Sequence, residues 1–250
     1  MAGHSKWANI QHRKGAQDKK RAVLFARLSK EITIASKLGG PDPDGNPRLR
    51  LAIQNARAQS MPKDNIKRAV DKGQGGAGDD YVEIRYEGFG PGGIGIIVEA
   101  STDNKNRAAS EIRSTFSKNG GNLGETGSVS FGFENVGEIT FDTEVSSEED
   151  VLEAALEAGA DDVVSDESGH YIYTERETLM EVASALEGRF GEVEPKSVKL
   201  IWRPSNYVPV AGDDADTLML LLDALDDLDD VQNVYDNSEL SDEEVARLAG

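Results

Sequence analysis

The spacing of apolar residues changes along the chain at the glycine-rich segment GQGGAG, residues 73–78. Before this segment, apolar residues recur every three to four positions, which indicates amphipathic helices. After it, short stretches alternate between apolar and polar residues, which is typical of strands, and helical stretches lie between them. A chain with this change of period cannot form one helical bundle or one sheet. The sequence therefore predicts an α+β fold that begins with a helical domain.

Three helices are predicted before the glycine-rich segment. The first covers residues 19–38, and the second has Asn46 as its N-cap and Pro47 at its first position. The third has Pro62 at its first position and ends at Gly73. The residues from Gly73 onward are interpreted as a linker. The apolar positions of the three helices are Leu24, Phe25, Leu28, Ile32 and Ala35, then Leu49, Ala52, Ile53 and Ala56, then Ile66, Ala69 and Val70.

The remainder of the chain predicts two further domains. Residues 136–205 have the element order β-α-β-β-α-β, which is that of a ferredoxin-like unit. The helix and strand that follow have no local partner, so we expect them to return to the sheet that begins after residue 79. The prediction is a basic helical domain with its linker (1–78), a middle α/β domain (79–135 plus 206–250), and a ferredoxin-like domain (136–205) inserted in the middle one.

The most conspicuous motif, GFGPGG, satisfies the G-x-G-x-x-G pattern through Gly88, Gly90 and Gly93. A dinucleotide site needs these glycines between a strand and a helix, whereas here a strand follows them. We therefore interpret them as a tight hairpin with close backbone contacts. The chain contains no cysteine, and the spacing of His4 and His12 matches no common zinc site. No metal and no cofactor is predicted.

The sequence also offers no catalytic constellation. It contains no Ser/His/Asp order and no phosphate-binding loop, and the many carboxylates are assigned to helix surfaces and helix starts. His170, beside Gly169 at the start of a strand, is interpreted as an exposed turn residue rather than a general base. The prediction is that the protein is not an enzyme. The apolar run at 218–222 is far shorter than the roughly 20 residues of a membrane span. No secretory signal is recognised, so a cytoplasmic location is expected.

Charge is distributed very unevenly along the chain. The formal net charge is −19, yet residues 1–72 contain 16 Lys/Arg and 6 Asp/Glu, a balance of +10, and the rest carries −29. This asymmetry predicts that the basic part contacts nucleic acid, DNA or RNA, and that the acidic domains are available to protein partners. Trp7 is interpreted either as a base-stacking residue or as an anchor of the N-terminal tail. The predicted nucleic-acid-binding residues are Lys6, Trp7, His12, Arg13, Lys14, Lys19, Lys20, Arg21, Arg27 and Lys30.

Several stretches closely resemble the YebC/PmpR family over essentially the whole chain: AGHSKWANIQHRKGAQDKKR, GGPDPDGNPRLR, YEGFGPGG, SKNGGNLGETGSVSF and LEAALEAGADDV. The resemblance implies a three-domain α+β fold and a non-enzymatic regulator of gene expression. It implies DNA-binding transcription regulation for bacterial members. It also implies translation regulation, through a related mitochondrial activator and through bacterial members linked to ribosomes stalled at proline-rich stretches. The signature residues present are Gly3, His4, Ser5, Lys6, Trp7, His12, Arg13 and Lys14.

Three functional hypotheses follow: a DNA-binding transcriptional regulator, a ribosome- or RNA-associated translation factor, and an adaptor that acts through its acidic domains. The connection after Gly39 is long and rich in proline, whereas a helix-turn-helix motif uses a short turn. No such motif is clearly recognisable, which keeps structured RNA as a serious competitor of duplex DNA.

Overall fold

A computed structural model describes residues 17–75, 81–191 and 193–249 of the chain, with side chains described from residue 21 to residue 248 within those ranges. The predicted α+β class is confirmed: the described residues form eight α-helices and three sheets. They divide into two compact units, one of residues 24–75 with 135–201 and one of residues 17–23, 81–134 and 202–249. The three predicted domains, 1–78, 79–135 plus 206–250, and 136–205, stay a prediction.

The helices are α1 Gln17–Gly39, α2 Pro47–Ala58, α3 Lys63–Gln74, α4 Lys105–Lys118, α5 Glu148–Glu157, α6 Leu179–Arg189, α7 Gly212–Asp226 and α8 Asp242–Ala249. The strands are β1 Val82–Phe89, β2 Gly95–Thr102, β3 Asn122–Leu123, β4 Phe133–Phe141, β5 Asp162–Asp166, β6 Gly169–Thr174, β7 Ser197–Pro204, β8 Val208–Pro209, β9 Val231–Asp236 and β10 Ser238–Glu239. No helix in these described ranges is long and apolar enough to cross a membrane.

The three N-terminal helices pack around a small apolar core. Most of the predicted apolar positions are confirmed, and Ile32, Leu49 and Ala56 are fully buried, whereas Leu24 is 37% exposed. The predicted start of α2 is also confirmed, because the Asn46 side chain accepts a hydrogen bond from the Leu49 N–H and caps the helix.

The end of α3 corrects the sequence prediction. Pro62 is the N-cap rather than the first helical residue, and the helix continues through Gly73 to Gln74. A Cβ on Gly73 would lie 2.6 Å from the Thr33 carbonyl oxygen and 2.8 Å from Ser36 Cβ. Glycine is therefore required here by the close approach of α1 and α3, not by a helix end. Residues 76–78 of the predicted linker lie outside the described residues.

The second sheet has the strand order β5-β6-β4-β7, with α5 and α6 against its core. Along the chain, these elements follow the predicted β-α-β-β-α-β order. Strand β5 pairs antiparallel with β6, and β6 pairs antiparallel with β4. Strand β7 is an edge strand, and α2 contacts it through Asn55. The Asn55 side-chain amide donates to the Val198 carbonyl at 2.9 Å, and the Val198 N–H donates to Asn55 Oδ1 at 3.1 Å. Asn55 thus satisfies edge-strand groups that would otherwise be open to pairing.

The first sheet has the strand order β3-β1-β2-β9 and packs against α4 and α7. Strand β9, from the end of the chain, pairs antiparallel to β2. The hairpin predicted for the G-x-G-x-x-G motif is confirmed, because β1 and β2 pair antiparallel and Gly92 and Gly93 have φ of 71° and 75°. A Cβ on Gly88 would lie 2.7 Å from the Phe116 ring, so the backbone can approach this ring only with a glycine at position 88.

The stretch GSVSFGF, residues 127–133, resembles a strand in sequence but forms a 3-10 turn at Ser130–Gly132 instead. The buried carboxylate of Glu87 accepts hydrogen bonds from the N–H groups of Val129 and Ser130, each at 2.8 Å. These two donors are thereby unavailable to a strand partner, and strand β4 begins only at Phe133.

Candidate nucleic-acid interface

The predicted nucleic-acid-binding residues fall into three groups. Lys6, Trp7, His12, Arg13 and Lys14 lie outside the described residues. Lys19 and Lys20 occupy positions in the first turn of α1, and their side chains lie outside the described part. Arg21, Arg27 and Lys30 are described, and all three lie on α1.

Helix α1 places most of its basic positions along one side. Positions 20 and 27 are seven residues apart, as are positions 30 and 37, and such pairs occupy nearly the same side of a helix. At 100° per residue, the two pairs lie within about 100° of each other, whereas Arg21 lies on another side. Arg27 and Lys30 are half-buried, and Lys37 is exposed. A stripe from position 20 to position 37 is about 25 Å long, at 1.5 Å per residue.

The charge of the helical segment is directed to solvent. Residues 21–75 contain eleven Lys/Arg and five Asp/Glu, a balance of +6, and none of the eleven is buried. The exposed cations that the sequence prediction missed lie outside the buried apolar stripes of α2 and α3, so the helical period alone could have identified them. They are Arg50, Arg57, Lys63, Lys67, Arg68 and Lys72.

Three of the arginines also have a role within the fold. Arg48 makes a two-pronged ion pair with Glu31, with Nε at 2.8 Å from Oε1 and Nη2 at 3.1 Å from Oε2. Arg50 donates to the carbonyl oxygens of Pro43 and Asp44, at 3.1 and 3.0 Å, and so holds the turn before α2. Arg68 donates to the Asp64 carbonyl oxygen at 3.3 Å and to Asn65 Oδ1 within α3. The other exposed cations of α2 and α3 are better placed for an external anion. They are Arg57, Lys63, Lys67 and Lys72.

The connections between the three helices differ. Seven residues separate α1 from α2, and this turn contains two prolines. Only four residues separate α2 from α3, and among them Ser60 has a left-handed φ of 57°. A short turn of this length is the one that helix-turn-helix motifs use. The sequence prediction compared only the α1–α2 connection with this motif, so it missed the α2–α3 connection.

The buried carboxylates lie elsewhere in the chain and serve the fold. Asp230, 5% exposed, accepts from Arg107 Nη2 at 2.8 Å and from Thr102 Oγ1 at 2.9 Å. Burial alone would raise the pKa of the Glu87 carboxyl, but the N–H groups of Val129 and Ser130 hydrogen-bond to it and lower its pKa overall. Among the described residues, no group of three or more His, Asp or Glu side chains could hold a metal ion.

The environment predicted for His170 from the sequence, an exposed turn, is wrong. It is only 2% exposed, and its Nδ1 lies 2.8 Å from the Ser165 hydroxyl oxygen. The register that pairs His170 with Phe141 and Ser165 places it inside the sheet rather than in a turn. A strand-start position beside Gly169 carries no sequence signal for this burial.

Comparison with known proteins assigns the class. Residues 5–76 match the family model for the TACO1/YebC protein N-terminal domain, and residues 81–238 match that for the TACO1/YebC second and third domain. The chain belongs to the TACO1/YebC family, as its N-terminal motifs predicted.

Curated relatives from two bacteria match the full length of the chain. A protein of Hyphomonas neptunium is 68% identical over 251 residues, covering 100% of both chains, and is named a probable transcriptional regulatory protein. A protein of Maricaulis maris with the same description is 62% identical over 254 residues, covering 99% of this chain and 100% of that one. These names place the family among regulatory proteins.

A solved structure supports the same assignment. The crystal structure of a conserved hypothetical protein from Aquifex aeolicus superposes with a TM-score of 0.85 at 44% identity, covering 93% of this chain and 96% of that one. The α+β fold described above is therefore the fold of the family.

Proposed function

We propose that this protein is a non-enzymatic, cytoplasmic regulator of gene expression that binds duplex DNA through residues 1–72. The observation that carries this proposal is the direction of the charge. All eleven Lys/Arg of residues 21–75 are at least partly exposed in a segment of net charge +6, while the chain as a whole carries −19. Phosphate groups attract such a segment and release counterions when they bind it, whereas the acidic remainder is repelled.

The α2–α3 pair supports DNA as the primary target. Its four-residue connection has the length found in helix-turn-helix motifs, and the solvent side of α3 presents Lys63, Lys67 and Lys72. In this proposal the basic positions of α1 and the N-terminal residues Lys6, Arg13 and Lys14 contact the same nucleic acid. His12 and Trp7 lie between these cations in the sequence, and an indole can stack on an unpaired base.

A second candidate is a ribosome-associated translation factor. The observation that favours it is the uneven distribution of charge along the chain, with a net charge of +10 in residues 1–72 and −29 in the rest. A long DNA duplex offers only negative charge to this molecule. A ribosome surface offers both RNA phosphates and basic proteins, and so could bind both the basic and the acidic parts of the chain.

The test compares matched variants in both assays. Lys6, Arg13 and Lys14 are changed together to Ala, and Arg27 and Lys30 together to Gln. The control changes Lys105 and Lys118 to Gln. These lysines are exposed on α4, in the unit of residues 81–134 and 202–249, and their substitution removes the same charge as the second variant. Binding is measured to a labelled promoter duplex at several salt concentrations and by co-sedimentation with ribosomes.

For the DNA proposal we expect the two N-terminal variants to weaken duplex binding at least tenfold and to reduce its salt dependence, with the control unchanged. A preference for particular promoters is also expected. Equal affinity for all duplexes, together with ribosome co-sedimentation that the N-terminal variants abolish, would replace DNA by RNA. Full activity of residues 79–250 alone would instead support an adaptor that acts through its acidic domains.

A further inference from the structure

Phe131 is the most exposed large apolar side chain of the described residues, at 85%. It lies in the 3-10 turn Ser130–Gly132, within residues 124–133, here called the aromatic loop. Single exposed apolar residues are common on protein surfaces and need no explanation by themselves. The surroundings of Phe131 make it different, because the fold buries a carboxylate that holds this loop in place.

The aromatic loop is anchored on both sides of Phe131. Val129 is 4% exposed and Phe133 is 6% exposed, so the residues two positions away on either side are buried. On the N-terminal side, the N–H groups of Val129 and Ser130 bond to the Glu87 carboxylate. On the C-terminal side, the Gly132 carbonyl accepts a hydrogen bond from the Ser205 N–H at 2.9 Å. The backbone that presents Phe131 is thus fixed before any partner arrives.

Glu87 is 1% exposed, and its second carboxylate oxygen is 3.1 Å from Arg85 Nε. Burying a carboxylate is expensive unless several donors satisfy it, and here backbone donors of the aromatic loop supply part of that compensation. The fold therefore buries an acidic side chain in order to position this loop. Nothing in the same arrangement requires a phenylalanine at position 131, because its side chain contributes almost no buried area.

A second exposed aromatic residue lies beside the loop. Phe89 is 40% exposed and follows Glu87 by two residues on β1, so both side chains lie on the same face of the sheet. Its ladder partner Gly95 approaches the loop so closely that a Cβ there would lie 2.9 Å from Val129 Cγ1. Phe89 therefore lies on the face of the sheet against which the aromatic loop packs.

Charge identifies the chemistry of the partner. Residues 81–134 and 202–249 contain 7 Lys/Arg and 20 Asp/Glu, a net charge of −13. Exposed Glu125 and Glu134 lie close to Phe131 in the chain. Such a surface repels nucleic acid and attracts cations. Aromatic residues that enter an apolar pocket are frequent energetic centres of protein interfaces, with charged groups at the rim.

We propose that Phe131, supported by Phe89, is the anchor of a protein-binding surface whose partner has an apolar pocket bordered by Lys and Arg side chains. This surface is separate from the nucleic-acid-binding role of residues 1–72 and does not depend on it. The protein would then bind two partners of opposite charge through two different parts of its chain.

The test introduces the photo-crosslinking residue p-benzoyl-phenylalanine at position 131 of the full-length chain in cells, with position 220 as the matched control. Leu220 is 62% exposed on α7, in the same unit of residues 81–134 and 202–249. A protein that is crosslinked at 131 and not at 220 is identified and purified. Its affinity is then measured for the unmodified chain and for the variants Phe131→Ser, Phe131→Trp and Leu220→Ser.

We expect Phe131→Ser to weaken binding at least tenfold, Phe131→Trp to retain it, and Leu220→Ser to stay within twofold. The affinity should also fall as salt is added. Thermal unfolding of Phe131→Ser should match that of the unmodified chain, which separates lost contact from lost folding. Crosslinking at 131 to nucleic acid, to a second copy of this chain or to nothing would overturn the proposal, as would unchanged affinity of Phe131→Ser.

Discussion

The helical segment of residues 21–75 and the first sheet with its helices use charged side chains in opposite ways. In the helical segment every Lys/Arg is at least partly exposed, and, besides the half-exposed Arg48–Glu31 ion pair, neutral hydrogen bonds join the helices. The Thr33 hydroxyl donates to the Ala69 carbonyl at 3.1 Å, and the Ser36 hydroxyl donates to the Val70 carbonyl at 2.9 Å. In the sheet unit, Glu87 and Asp230 are buried and hold loops and helix ends.

This difference distinguishes charges that hold the fold from charges that are available to the proposed nucleic-acid partner. A buried carboxylate with several donors is part of the architecture, and its loss costs stability. An exposed lysine contributes little to stability, so a segment rich in such residues keeps its charge for an external partner. Of the three variants below, Glu87→Ala tests the buried carboxylate of the sheet unit, and Asn55→Ala and Gly73→Ala test the neutral contacts of the helical segment. They are given from the largest expected change in the free energy of unfolding to the smallest.

Glu87→Ala should destabilise the protein most, by about 2–5 kcal/mol, because it leaves two buried N–H donors without an acceptor. The measurement is chemical unfolding followed by far-UV circular dichroism. Glu83→Gln, at an exposed position of the same strand, is the control and should stay within about 0.5 kcal/mol of the unmodified chain. A loss below about 1 kcal/mol for Glu87→Ala would show that this carboxylate is not structural.

The effect of Glu87→Ala should also depend on pH. The pKa of the Glu87 carboxyl is lowered in the folded protein, so its contribution is complete above the pKa of the unfolded chain, about 4.3. That contribution is lost as the pH falls through the folded pKa. The stability difference between Glu87→Ala and the unmodified chain should therefore be smaller at strongly acidic pH than at pH 7. A difference that grows toward acidic pH would contradict the assigned role.

Asn55→Ala should cost about 1–3 kcal/mol, because it removes both hydrogen bonds between α2 and the backbone of Val198. Hydrogen exchange reports the change locally, since the Val198 N–H loses its acceptor and should exchange faster. Gln54→Ala, at the neighbouring half-exposed position, is the control and should leave that amide protected. Unchanged protection of Val198 in Asn55→Ala would mean that the edge strand does not depend on α2.

Gly73→Ala should destabilise the helical segment by about 1 kcal/mol. The added Cβ would lie 2.6 Å from the Thr33 carbonyl oxygen, and the cost of separating α1 from α3 should outweigh the better helix propensity of alanine. Gly75→Ala is the matched control, because its nearest atom is 3.6 Å away. Thermal unfolding compares the two variants, and equal midpoints would contradict a close helix contact at Gly73.

Much of the architecture was predictable because it depends on local chemistry. The apolar period of α2 identifies Leu49, Ala52, Ile53 and Ala56, and all four are buried. The Asn46–Pro47 start follows from capping preferences that act within one turn. The same reasoning failed at Gly73, since a glycine near a helix end is indistinguishable in sequence from one required by a neighbouring helix.

The candidate interface was predictable only in part. Net charge indicated the basic segment, and the apolar period of α2 and α3 could have added their exposed cations to the prediction. His170 and Glu87 were beyond reach from sequence, because their burial depends on which strand or loop covers them. His170 is enclosed by pairing with Phe141 and Ser165, and Glu87 by a loop about 40 residues further along the chain.

The sequence by itself determined the class of fold, the position of most helices and strands, the family and the segregation of charge, since each depends on residue type and short spacing. Only the tertiary structure decided which carboxylates are buried, that Asn55 binds an edge strand 143 residues away, and that Phe131 lies on a fixed loop. These features arise from groups distant in the chain that must satisfy one another's hydrogen bonds once water is excluded.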